Sequence, residues 1–76
     1  MRLKLSIHFQ GRLTERGINM DHLKSAIRNP DASEIVFAGR TRVQKKINGK
    51  MVEVVYFKEG SSGKGETFVI ITAYYL

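Results

Sequence analysis

The dipeptide Asn48-Gly49, set between two segments of alternating residues, constrains this chain more than any other feature. A two-residue type I′ turn needs positive φ at both central positions, and Asn-Gly tolerates it best. Such a turn fixes register as well as position. It sets Ile47 opposite Lys50, Val43 opposite Val54 and Thr41 opposite Tyr56. A one-residue slip would send every side chain to the other face. Val43, Ile47, Val52, Val54 and Tyr56 then share one face, with Lys45 as its exception. Arg40, Arg42, Gln44 and Lys46 share the other with Met51, Glu53, Val55 and Phe57.

Pro30 divides the chain. Before it the apolar spacing is helical. Ser6 can cap a helix that starts at Ile7, Phe9 and Leu13 lie one turn apart, and Gly17 suits the stop position. Arg2 to Leu5 also alternates, as a short strand would. Asn19 can cap a second helix with the stripe Met20, Leu23, Ala26 and Ile27. Asp21 near its start and Arg28 near its end agree with the helix dipole. Pro30 ends that helix by pushing Asn29 out of the helical region. Beyond Pro30 the expected strands are Glu34 to Ala38, Thr41 to Ile47, Met51 to Lys58 and Thr67 to Tyr75. Gly39-Arg40 is a turn and Gly60 to Gly65 a flexible connector. The expected fold is α+β, two N-terminal helices packed on one face of a four-stranded antiparallel sheet. A chain of 76 residues holds this as one domain, residues 1–76.

With no cysteine, disulfides and thiolate metal sites are excluded, and two histidines do not make a metal cage. No metal or cofactor is expected. The uncharged stretch Thr67 to Leu76 is about half the ~20 apolar residues of a membrane-spanning helix. The N-terminal residues are too charged for a signal peptide, so the chain reads as cytoplasmic, with no membrane partner. Its 13 Lys and Arg against 7 Asp and Glu leave +6, which favours a polyanion, nucleic acid first.

Two groups of residues carry that possibility. Arg40, Arg42 and Lys46, beside Phe57, offer cations and a ring to the phosphates and bases of single-stranded RNA. The same pattern suits the solvated side of a one-sided sheet. On the first helix, His8, Arg12 and Arg16 recur every fourth residue and fall within a sector of about 80°. Cleavage of RNA through its 2′-hydroxyl needs a base, an acid and cations on the phosphoryl oxygens. Histidine is the residue type suited to moving a proton in such a step, which points to His8, and the two arginines can clamp a phosphate. A surface histidine beside structural arginines fits the spacing too. The loop with Gly63-Lys64 lacks the spacing of a phosphate-binding P-loop, and Gly60-Ser-Ser-Gly63 lacks the flanking helices of a KH domain.

The run His8-x-x-x-Arg12-x-x-x-Arg16-Gly17-Ile18 resembles the opening of an uncharacterised prokaryotic domain family of the RelE/ParE toxin superfamily. Asn29-Pro30, Gly39-Arg40, Ile47-Asn48-Gly49-Lys50, Val54-Val55-Tyr56 and Ile70-Ile71-Thr72-Ala73-Tyr74 continue the resemblance in order. It implies a RelE-like fold of helices against an antiparallel sheet. It also implies a toxin-like, metal-independent endoribonuclease acting on single-stranded RNA or mRNA, with an antitoxin protein as partner. His8, Arg12, Arg16 and Tyr74 would be its catalytic positions, and Thr72 would join the RNA-binding set. No basic residue follows Lys64, unlike the ribosome-dependent relatives. Other members of the superfamily poison gyrase and cleave nothing, so a non-catalytic RNA- or protein-binding module is the alternative.

Overall fold

In the computed structural model, which describes residues 2–60 and 65–76, both helices begin and end where capping chemistry directs. Ser6 precedes α1 (Ile7–Glu15), and its hydroxyl accepts from the Phe9 N–H at 3.1 Å. Gly17 closes that helix at φ 60°. There the Gly17 N–H bonds the Thr14 carbonyl and the Ile18 N–H bonds the Leu13 carbonyl, which satisfies two acceptors the helix end would orphan. Asn19 caps α2 (Met20–Arg28) by accepting from the Asp21 N–H at 2.7 Å. The α2 stripe Leu23, Ala26 and Ile27 is buried.

Five strands form one sheet in the order β1-β5-β4-β3-β2, with β1 at Arg2–Leu5, β2 at Ala32–Ile35, β3 at Thr41–Ile47, β4 at Lys50–Glu59 and β5 at Thr67–Tyr75. β1 runs parallel to β5, pairing Leu3 with Phe68 and Leu5 with Ile70, while the other neighbours are antiparallel. The fold is α+β, but the expected four-stranded antiparallel sheet is corrected to five strands with one parallel pair. The extra strand is short and its partner lies at the other end of the chain. The alternation of Arg2 to Leu5 is that of a short strand, but nothing local shows that it joins this sheet.

The strand expected at Glu34 to Ala38 also moves, to Ala32–Ile35. Ala38 and Gly39 take left-handed φ values of 62° and 70°, and the Val36 N–H bonds the Arg40 carbonyl at 2.8 Å. These close the hairpin around Phe37–Gly39 and leave β2 only the residues before it. At the next hairpin Asn48 and Gly49 have φ of 51° and 82°, and Ile47 faces Lys50, Val43 faces Val54 and Thr41 faces Tyr56.

Both helices lie on one face of the sheet. Phe9 and Leu23 are fully buried there against Val43, Val52, Val54 and Ile70. Lys45 points to the same side, where its ammonium donates to the Asn29 carbonyl at 2.8 Å, just past the negative end of α2. β5 joins this core through an irregularity. Val55 pairs with Thr72 and Tyr56 with Ile70, so Ile71 is an extra residue, a β-bulge. The bulge lets Ile70 and Ala73 both face the helices while Thr72 and Tyr74 face away. Most of the connector expected at Gly60 to Gly65 lies outside the described residues. Among the described residues no helix is long and apolar enough to cross a membrane.

The two hairpin turns make opposite predictions. At Gly49 an added Cβ would meet nothing within 4 Å, so only the backbone opposes Gly49→Ala. That variant should lose about 1–2 kcal/mol of unfolding free energy, read from urea denaturation. Ala38→Gly relieves a left-handed Cβ at the cost of about 0.4–1 kcal/mol of unfolded-chain entropy, and should gain up to about 1 kcal/mol in the same measurement.

Candidate functional site

Where β1 stops decides where the site lies. β1 pairs with β5 only as far as Ile70, and the β5 carbonyls beyond it have no strand on that side. Backbone acceptors at a packed edge need donors. The α1 segment supplies them. The Ser6 hydroxyl reaches the Ile71 carbonyl at 3.5 Å, and the Arg16 guanidinium donates to the Ala73 carbonyl at 2.9 Å. The same Arg16 nitrogen donates to the Thr72 hydroxyl at 3.2 Å, and the guanidinium carbon stands 6.0 Å from the centre of the Tyr74 ring. Arg16 therefore wraps the β5 edge, from the helix layer to the face that no helix covers.

From Arg16 a chain of polar side chains crosses that open face. The Tyr74 hydroxyl donates to one oxygen of Glu53, and the Gln44 amide donates to the other at 2.6 Å. Pairing register makes this possible, since Glu53 lies opposite Tyr74 on one side and Gln44 on the other. Arg42, on the same face, is paired with Glu34 of β2. Glu53 is only 6% exposed although its side of the sheet carries no helix. Burial alone would push its carboxyl up, but the hydrogen bonds from Tyr74 and Gln44 and the charge of Arg42 outweigh this and hold it below the ordinary glutamate value. The bond to Glu53, then burial, push the Tyr74 phenol up. The pair is thus carboxylate and neutral phenol at neutral pH, a fixed hydrogen bond and not an acid–base couple.

His8 and Arg12 lie on the exposed side of α1, and their side chains make no hydrogen bond or ion pair with any described residue. His8 is about 12 Å along the helix from Arg16, with Arg12 midway. One phosphate can therefore bridge Arg12 and either neighbour, but not His8 and the anchored Arg16 together. Thr72 and Tyr74 join this row at the β5 edge. Lys46 is exposed and Phe57 half-buried on the open face, farther along, and Arg40 is half-buried just before β3.

The cations between Arg40 and Lys50 do not form an unopposed block. Glu34 pairs with Arg42, Asp31 lies 3.9 Å from the Lys45 ammonium, and the Lys50 ammonium sits 5.5 Å from the centre of the Tyr75 ring. Sequence reasoning placed Glu53 on this face but missed its central role, because the bulge that brings Tyr74 opposite it leaves no local signal. The half-buried His22 of α2 also has a partner from the end of β5. In the structure the His22 Nδ1 lies 2.9 Å from the Tyr75 hydroxyl, which also accepts from the Asn19 N–H at 3.3 Å.

A hollow of about 160 Å³ beside the network is lined by Ala32, Ser33, Glu34, Arg42 and Gln44. Small-molecule sites usually enclose about 300–1,000 Å³, so this face suits an extended ligand better than an engulfed one. Among the described residues no three of His, Cys, Asp or Glu group as metal ligands. Comparison with models of protein families, with curated proteins and with solved structures finds no match.

The lowered pKa of Glu53 carries a pH dependence with a definite sign. Its stabilisation is fully present above the unfolded-state pKa of about 4.3 and is lost as the pH falls through the lower folded value. Glu53→Gln should be less stable than the parent at neutral pH. The gap in urea midpoint between them should narrow as the pH falls below about 4.

Proposed function

We propose that this chain is a toxin-like RNA-binding domain of the RelE/ParE type, acting in the cytoplasm, which grips the backbone of single-stranded RNA along the α1 row and the adjoining β5 edge. One observation carries the reading. The Arg16 guanidinium is fixed by Thr72 and Ala73 beside the Tyr74 ring, while His8 and Arg12 extend the same line with side chains free to meet phosphate. An anchored guanidinium loses little freedom on binding, and its planar fork matches two phosphate oxygens. The Tyr74 ring borders the same line and offers a face for a base. Arg42, already neutralised by Glu34, is the weaker contributor on the sheet.

Salt dependence separates these contributions. Arg12→Ala should lower the slope of log affinity against log salt by about 0.7, one phosphate contact on a single strand. Arg42→Ala should change it less. Equal slopes for parent and Arg12→Ala would remove the α1 row from the interface.

A second reading, cleavage of the bound strand, is favoured by His8, an exposed imidazole in line with the phosphate-binding arginines. His8 would take the 2′-hydroxyl proton as the 2′-oxygen attacks the adjacent phosphorus and the P–O5′ bond breaks. This leaves a 2′,3′-cyclic phosphate on one strand and, once the proton is returned to the departing oxygen, a 5′-hydroxyl on the other. Incubation of RNA in EDTA should then yield such ends, an all-2′-deoxy strand should survive, and His8→Ala should lose about 10²- to 10⁴-fold in rate. Undiminished cleavage by folded His8→Ala would exclude the histidine, and intact RNA with the parent would leave the domain as a binder. The toxin-like reading also brings an antitoxin protein as partner.

A further inference from the structure

We infer that Glu53 is a positioning residue for the RNA interface, acting through the Tyr74 ring on the guanidinium of Arg16. The inference rests on the RNA-binding reading above for its consequence, but its geometry stands apart from it. Glu53 is the one buried charged side chain among the described residues, and it lies on the open face, where a carboxylate would ordinarily be solvated. Keeping it there requires that its lone pairs be met, and Tyr74 and Gln44 meet both oxygens. A bond from a neutral donor to a carboxylate is roughly twice as strong as one between neutral groups, so the phenol is held firmly at its tip. At its other end Tyr74 is fixed by the strand. A ring held at both ends has a fixed long axis, and Arg16 lies 6.0 Å from its centre.

Arg16 needs such a guide. Its own bonds to Thr72 and Ala73 use a single nitrogen, Nη1, so Nε and Nη2 bond to no described residue. The Tyr74 ring adds a contact to the guanidinium that those bonds do not supply. Gln44 then serves Glu53 as Glu53 serves Tyr74, and the order across the sheet is Gln44, Glu53, Tyr74, Arg16. Glu53 need not touch RNA to affect how it is held.

The test follows the Arg16 Nε–H resonance by NMR together with affinity for an oligouridylate. In the parent, the nearby ring should displace this resonance from its random-coil position. Tyr74→Phe keeps the ring and removes its tether, and Glu53→Leu removes the acceptor. Both should move the resonance toward random coil and weaken binding about two- to five-fold, the worth of an exposed cation–ring contact. Glu53→Gln retains an acceptor for the Tyr74 hydroxyl and should restore both readouts most of the way. A purely structural Glu53 would lower melting temperature without moving the Arg16 resonance. Folded Tyr74→Phe with parental resonance and affinity would overturn the inference, and it remains decisive if Glu53→Leu does not fold. Failure of the parent to bind RNA would instead sink the RNA reading, while the Arg16 resonance still decides whether Glu53 positions it.

Discussion

The carbonyl groups along the outer edge of β5 impose the constraint on which the rest of the structure depends. A strand in the middle of a sheet satisfies its backbone on both sides, but β5 loses one neighbour after Ile70. Its remaining acceptors on that side have to be met by something other than a strand. The chain meets them with Ser6 at the start of α1 and Arg16 at its end. The helix is thereby moored along β5 at both of its termini. The position of Arg16 is first a matter of backbone accounting, and the phosphate-clamping role proposed for it would use the same placement.

How far the sequence reveals this depends on the range of each interaction. Ser6, Gly17, Asn19 and Asn48-Gly49 act on residues a few positions away, and each does in the structure what its chemistry leads one to expect. The open face follows equally directly, because the tight turn sets which residues of β3 and β4 share a side. The pairing of β1 with β5 and the bulge at Ile71 do not follow. Both are settled by pairing between segments far apart, and the run from Phe68 to Ile71 is apolar throughout, so no alternation marks which side each residue faces. The candidate site divides along the same line. The row His8, Arg12 and Arg16 is visible as helical spacing, whereas Glu53 gains its importance only when β3 and β5 flank it.

Charge behaves in the same way. Five cations and no acid lie between Arg40 and Lys50, yet the sheet sets Glu34 beside Arg42 and Glu53 across from Gln44. Linear charge density along a strand is a poor guide to surface potential, because the neighbours of a strand residue are on other strands. Acids interleave with the bases on the sheet, so its open face is less positive than the run from Arg40 to Lys50 suggests.

The parallel pairing of β1 with β5 joins strands that every other element of the fold separates in sequence. Contacts between such distant segments close late and slow the folding of a small domain, since chain entropy is lost before they are rewarded. Until Thr67–Tyr75 is made, Leu3 and Leu5 have no strand to pair with and α1 has no edge to moor to. During translation the β3–β4 hairpin is the longest pairing formed among the described residues before β5, and its local turn makes it a natural seed. The face proposed to hold RNA therefore exists only once Thr67–Tyr75 is in place, so a nascent chain lacks it until that strand has been made.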